Sequence, residues 1–319
     1  MLRQYFSHSP TAALRGCGIA RIKSAKNKKR YTFAVMHIFR TVNDLQLWLN
    51  ARRATGRQIG FAPTMGALHE GHLALIEMAK ADDCVAVASI FVNPTQFNDP
   101  KDLEKYPRTP ERDVELLERV HCDALFMPDV DEVYPPGRDL TLRIDFGSLD
   151  KVMEGIFRPG HFAGMATVVK RLLDIVQPQR LYMGQKDYQQ LSIVRDMIRQ
   201  LQLPVELVMC PTMREADGLA MSSRNVRLTP EMRAVAPVIY QTLESARTAL
   251  PAAPAGVVQA RAMEQLEAAG LRPEYFDIVD GVSLQPIVFW NDSKFIVACT
   301  AAFAGAVRLI DNMVLKNEE

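Results

Sequence analysis

No apolar run in the sequence approaches the roughly 18 residues that a membrane-spanning helix needs, and even Cys84 to Val92 is short and broken by Ser89. A membrane partner is therefore not expected. Cysteine is scarce: Cys17, Cys84, Cys122, Cys210 and Cys299 are an odd number, widely scattered, with no C-x-x-C pair among them. That spacing argues against a zinc ribbon or a redox dithiol and makes a reducing, cytoplasmic compartment the expectation. Acids are missing from residues 1–35, which hold eight Lys/Arg, so the rest of the chain sets 30 basic against 37 acidic residues even though the whole is +1. A body of that charge is a poor nonspecific binder of nucleic acid, whose affinity comes from neutralised phosphates. There is no internal repeat, and the only low-complexity stretch is a short alanine–proline linker. What is present is ordinary: 48% hydrophobic and 24% charged residues exclude a disordered or collagen-like chain, and 319 residues suit about two domains.

Residues 1–35 also lack sustained apolar periodicity, and Arg21 to Arg30 is a basic, solvated run, so disorder is expected there. The bias is that of a transit peptide, but no amphipathic face accompanies it. Met36 offers a second start, and an upstream extension is preferred over a targeting role.

From Met36 the pattern becomes periodic. Thr41 to Asn50 reads as an amphipathic helix capped by Thr41 or Asn43, Gln58 to Ala62 as a buried strand, Glu70 to Lys80 as a helix and Cys84 to Val92 as a strand buried on both faces. Continuous apolar strands belong to parallel sheets. Helices over 110–120, 165–176 and 187–200 then alternate with strands over 122–127, 180–183 and 205–209. The expected fold over residues 36–212 is a Rossmann-like, doubly wound parallel sheet with ligands at the carboxyl ends of its strands. Beyond residue 212 the grammar changes. Thr229-Pro-Glu opens a helix running to about Ala249, a second helix covers 257–269, and strands near 275–279, 295–300 and 307–311 follow without intervening helices. Residues 213–319 are expected to form a small α+β domain.

The strongest local signal is Pro63-Thr-Met-Gly-Ala-Leu-His69-Glu-Gly71-His72, directly after a strand and directly before a helix. Gly66 and Gly71 let the backbone approach a ligand, and the helix start offers free N–H groups and the positive end of its dipole to phosphate. Gly66 and Gly71 have P-loop spacing, but His72 and Leu73 stand where Lys and Ser/Thr would be required. A zinc helix of the H-E-x-x-H kind needs its histidines four apart and a third ligand. The bland alternative is a polar turn whose histidines merely cap the helix.

A second turn, Met183 to Gln190, combines Gly184 for close approach, Lys186 as a mobile charge for phosphate and Asp187 as acceptor for ribose hydroxyls or as helix cap. The third segment, Arg214 to Asn225, sets Ser222, Ser223 and Arg224 on a mobile, glycine-containing loop suited to a pyrophosphate leaving group. Three phosphate-suited loops along one sheet edge point to a nucleotide.

Those runs, together with Phe91 to Phe97, Tyr106 to Thr109 and His161 to Gly164, occur in the order found in the pantothenate synthetase family, which the chain closely resembles from 36 to 319, more densely up to Asn225. The family belongs to the H-x-G-H nucleotidyltransferases. The resemblance implies a magnesium-dependent carbon–nitrogen ligase forming AMP, in which pantoate attacks ATP to give pantoyl adenylate and pyrophosphate, and β-alanine then displaces AMP. It implies that Met65, Gly66, Ala67, Leu68, His69, Glu70, Gly71 and His72 hold ATP with Gly184, Gln185, Lys186 and Asp187, and that Met213 lines the adenine pocket. Met221, Ser222, Ser223 and Arg224 would close over the triphosphate, with His72, His69, Lys186 and Arg224 carrying the catalysis. Gln96 and Gln190 would grip pantoate, and Asn93, Tyr106, Arg158 and His161 would neighbour the pantoate and β-alanine pocket. Magnesium ligands are not assigned, since that ion keeps waters and substrate phosphates. A homodimer is implied. One departure is Gln185, where the family commonly has Glu, and its side chain is expected to point away from ATP.

Overall fold

Two continuous apolar runs become the centre of a parallel sheet in the computed structural model, which describes residues 35–96, 104 and 106–318. Residues 1–34 of the basic extension and Phe97 lie outside the described residues. Strands β2 (Ile59–Thr64) and β3 (Val85–Ile90) pair over their whole length, Ile59 opposite Val85 and Thr64 opposite Ile90. With β1 (His37–Phe39), β4 (Ala124–Phe126), β5 (Arg180–Gly184) and β6 (Glu206–Cys210) they form six parallel strands in the order β1-β4-β3-β2-β5-β6.

Helices cover both faces. On one, α1 (Val42–Arg53), α6 (His161–Val176) and α7 (Tyr188–Gln200) bury Leu45, Leu49, Leu172 and Val194 against Phe61 and Phe126. On the other, α2 (Glu70–Ala81) and α3 (Pro110–Arg119) bury Leu73, Ile76 and Leu117 against Ala62, Ala88 and Tyr182. Short helices α4 (Val130–Val133) and α5 (Glu154–Phe157) lie between them in sequence. This is the expected doubly wound α/β layer. Thr41 caps α1 by accepting the Asp44 N–H.

Helix α6 starts at His161, earlier than the residue-165 start read from the sequence. The added first turn contains Gly164, at the point where the helix meets another segment. A side chain there would lie 2.4 Å from the Thr95 carbonyl oxygen, so glycine is what lets the helix press against the turn that carries Gln96.

The C-terminal part holds α8 (Pro230–Val235), α9 (Val238–Ala249) and α10 (Ala255–Ala268), then an antiparallel sheet β7 (Arg272–Asp280), β8 (Phe295–Ala304) and β9 (Val307–Asn317). The single helix expected up to Ala249 is two, because Pro237 cannot donate the bond to the carbonyl four residues back. One face of the sheet buries Ile278, Ala298 and Leu309 with α9 and α10. The other packs Val297 and Phe295 with Met153 and Tyr188 of the parallel-sheet part.

Candidate active site

The strand order reverses between β2 and β5, and a cavity of about 480 Å³ opens beyond their carboxyl ends. All three predicted loops reach it. His69, Gly71 and His72 line it from the first, Gly184, Lys186, Asp187 and Gln190 from the second, and Met213, Met221, Ser222, Ser223 and Arg224 from the third. Met65, Gln96, Tyr106, Arg158 and His161 line it as well. That volume suits a nucleotide with small partners.

The histidines do cap the helix, as the bland alternative had it, and the capping fixes their chemistry. His69 is the N-cap of α2 and its Nδ1 accepts the Gly71 N–H at 3.2 Å, while the His69 N–H donates to His72 Nδ1 at 3.3 Å. With both Nδ1 atoms acting as acceptors, each neutral ring carries its proton on Nε2, the edge left for the cavity. Burial, with the Lys186 charge adding to it, lowers the His69 pKa to about 4. Burial and then His69 lower His72 to about 3. Both rings are neutral N–H donors at pH 7. Gly71 is required by the same geometry, since a side chain there would lie 2.9 Å from the His69 ring.

His161 is set the other way. Its Nδ1 lies 3.0 Å from the Gln96 carbonyl, which only accepts, so Nδ1 carries the proton and Nε2 presents a lone pair. Burial and then Arg158 lower its pKa to about 4.

Of the helix-start N–H groups expected for phosphate, those of Gly71 and His72 donate to His69, to its Nδ1 and its carbonyl, and the N–H groups of the turn before the helix are committed as well. Ala67 and Leu68 donate to the Asp113 carboxylate at 2.9 and 2.8 Å, and Gly66 donates to Thr64 Oγ1. Gly66, Ala67 and Leu68 therefore shape the turn from behind the cavity wall, with Ala67 held at φ +49°. Glu70 also turns away, to an exposed ion pair with Arg119. Toward the cavity this turn presents the two histidine rings and Gly71.

Asn93 is buried behind the wall, where its amide donates to Gln96 Oε1 at 3.1 Å and its oxygen accepts from Tyr134. It orients Gln96. Gln185 likewise does not line the cavity, since its amide donates to Asn312 Oδ1. Asp187 occupies the N-cap position of α7 without a capping bond. Burial opposes its ionisation, but Lys186, Arg224, His72 and Arg158 prevail and hold its carboxyl below the usual range. The third loop, expected to be mobile, is braced at its base by Arg214, which pairs with buried Asp311 at 2.6 Å and lies over the Tyr240 ring.

A sequence model of the family described as pantoate-beta-alanine ligase matches residues 37–314. The chain belongs to the pantoate–β-alanine ligase family. A pantothenate synthetase of Porphyromonas gingivalis is 51% identical over 279 residues, covering 87% of this chain and 99% of that protein. One of Bacteroides thetaiotaomicron is 49% identical over 282 residues, covering 88% and 99%. The crystal structure of the Thermus thermophilus enzyme superposes with a TM-score of 0.82 at 44% identity, covering 88% of this chain and 100% of that one. A Francisella tularensis pantoate-beta-alanine ligase, crystallised with beta-gamma ATP and beta-alanine, gives 0.72 at 34% identity, covering 88% and 98%. The activity of this pantoate–β-alanine ligase is that of a carbon–nitrogen ligase.

The motifs do not mark the residues that brace the site through long-range bonds. Asp113 was visible only as an acid in the first turn of a helix, a position that ordinarily answers the dipole. Glu154 and Tyr275 line the cavity, and Gln189 bonds the Glu154 N–H and the Leu149 and Val152 carbonyls. No spacing rule marks such long-range partners. Among the described residues no group of three His, Cys, Asp or Glu is arranged to hold a metal ion.

Proposed function

We propose that the chain joins (R)-pantoate to β-alanine, consuming ATP and releasing AMP and pyrophosphate through pantoyl adenylate. The observation that carries this reading is one cavity holding two neutral imidazole N–H donors, Lys186, Arg224 and, separately, a histidine that presents a lone pair. A pantoate carboxylate oxygen attacks the α-phosphorus, and the bond to the β-phosphate oxygen breaks. Negative charge grows on phosphate oxygens, where His69, His72 and Lys186 donate, and on the departing pyrophosphate, where Ser222, Ser223 and Arg224 would close.

Gln96 and Gln190 would hold pantoate, as amides suit a substrate bearing both hydroxyl and carboxylate groups. The β-alanine amine then attacks the acyl carbon, the bond to the AMP oxygen breaks, and the proton shed by the nitrogen passes to water. Arg158 is the cation for the β-alanine carboxylate, and Nε2 of His161 accepts a hydrogen bond from the amine and orients its lone pair. Met213 and Gly184 would border the adenosine. No protein nucleophile takes part.

Magnesium, when bound, supplies charge neutralisation on the phosphates. Lacking a ligand cage among the described residues, this site would hold it through phosphate oxygens and water, with Asp187 the carboxylate placed to join. The segment from 213 onward is read as a domain that closes over ATP. A homodimer in the cytoplasm is supported by the resemblance alone, and sedimentation velocity tests the dimer.

The deciding experiment incubates the purified chain with ATP, magnesium, pantoate and β-alanine and identifies products by mass. Pantothenate, AMP and pyrophosphate are expected. An adenylylated pantoate that accumulates with no AMP released would overturn the reading.

A further inference from the structure

Three side chains of β9 brace the cavity wall outside the first loop. Arg308 forms a two-pronged pair with buried Glu154, at 2.9 and 2.6 Å, and Tyr275 donates to the same carboxylate. Asp311 takes Arg214 at the base of the serine–arginine loop. Asn312 reaches the turn that carries Lys186: its Nδ2 donates to the Gln185 and Lys186 carbonyls at 2.9 and 2.7 Å, and its Oδ1 accepts from Gln185 Nε2 at 3.1 Å.

Both Asn312 amide hydrogens are used, and its oxygen accepts one bond. Both amide hydrogens face carbonyls, so the amide cannot flip without setting oxygen against oxygen, and the remaining oxygen needs a donor. Gln185 supplies that donor through its amide; a carboxylate in its place would not. Asn312 is buried at the cavity wall with both amide hydrogens and one oxygen lone pair committed to this turn, so its side chain is spent chiefly on holding the turn.

We propose that Asn312, oriented by Gln185, is a positioning residue for adenylate formation that fixes the Gln185–Asp187 turn and with it the Lys186 ammonium. The inference rests on the function proposed above. Lys186 serves the phosphates, which matter until pyrophosphate leaves, so loss of the clamp should slow the first half-reaction and spare the second. Misplacement of a catalytic charge by about 1 Å costs on the order of a hundredfold.

The test compares wild type, Asn312→Ala and Gln185→Ala in single-turnover adenylation and, separately, in reaction of supplied pantoyl adenylate with β-alanine, with urea melts of each. Adenylation should fall on the order of tenfold to a hundredfold in Asn312→Ala and several-fold in Gln185→Ala. Amide formation from the supplied adenylate should stay within about twofold of wild type. If Asn312→Ala does not fold, the same split in Gln185→Ala decides. Equal slowing of both steps would mean a general packing role, and unchanged adenylation no role; either overturns the inference while an active wild type leaves the functional reading standing. A wild type that forms no pantoyl adenylate would overturn both.

Discussion

His69→Asn separates the two jobs of one side chain. The His69 ring caps α2 through Nδ1, and an asparagine oxygen caps equally well, so the variant should keep its pH 7.5 stability within about 0.5 kcal/mol. What it loses is a titrating group. The histidine pKa falls from 6.5 in the unfolded chain to about 4 in the folded one, so the unfolded state binds the extra proton. Stability from this group is therefore complete above pH 6.5 and drains away as pH falls toward 4. At pH 5 the two pKa values differ in their effect on the equilibrium by a factor of about 30, or about 2 kcal/mol. Because the residue is only half-buried at the cavity wall, about 1–2 kcal/mol is the fair expectation. His72 and His161, at about 3 and about 4, act with the same sign, so the wild type should weaken markedly between pH 7 and 5. Urea melts of both proteins at pH 7.5 and pH 5 measure this, with the variant losing about 1–2 kcal/mol less than wild type. At pH 7.5 the variant should also adenylate on the order of a hundredfold more slowly, having lost the Nε2–H donor. Equal acid losses in the two proteins would refute the claim that His69 is held neutral.

Asp113→Ala strands the Ala67 and Leu68 N–H groups at about 1–3 kcal/mol each, so urea should unfold the variant about 2–5 kcal/mol more easily; an unchanged midpoint would mean the turn needs no carboxylate. Arg224→Lys keeps charge and loses the fork, and Arg224→Ala loses both, so single-turnover adenylation should fall in the order wild type, Lys, Ala, with capture of supplied adenylate less affected. Equal damage to both half-reactions would remove the leaving-group role. Gln190→Glu sets a like charge near the pantoate carboxylate and should weaken pantoate binding far more than ATP binding in calorimetry, whereas equal weakening would leave Gln190 a support for its loop.

Legibility followed the range of the interactions. The parallel sheet could be read because Cys84 to Val92 is apolar without alternation, a pattern that follows from burial on both faces. The three loops could be read because glycine with histidine or lysine at two strand-to-helix turns, and two serines and an arginine on a glycine-containing loop, signal locally. The first turn of α6 escaped the same logic: Gly164 lies against the distant Thr95 carbonyl, and nothing nearby in sequence marks so close a contact. Asp113 and Asn312 failed for a related reason. Their acceptors and donors are backbone groups of distant turns, and backbone groups leave no mark on a sequence. The capping histidines show the converse: a ring has two nitrogens, so capping through Nδ1 leaves Nε2 available to the cavity and does not by itself exclude a chemical role.

The antiparallel sheet spends its second face on Met153 and Tyr188 instead of on solvent. Residue 212 marks where the strand pattern changes, yet cutting there would bare Phe295 and Val297 on one fragment and Tyr188 on the other, and would leave Glu154 without its guanidinium. Neither fragment can bury that surface alone, so calorimetry of the intact chain should show one cooperative transition, and the two pieces expressed apart should aggregate unless they are brought together as a split protein.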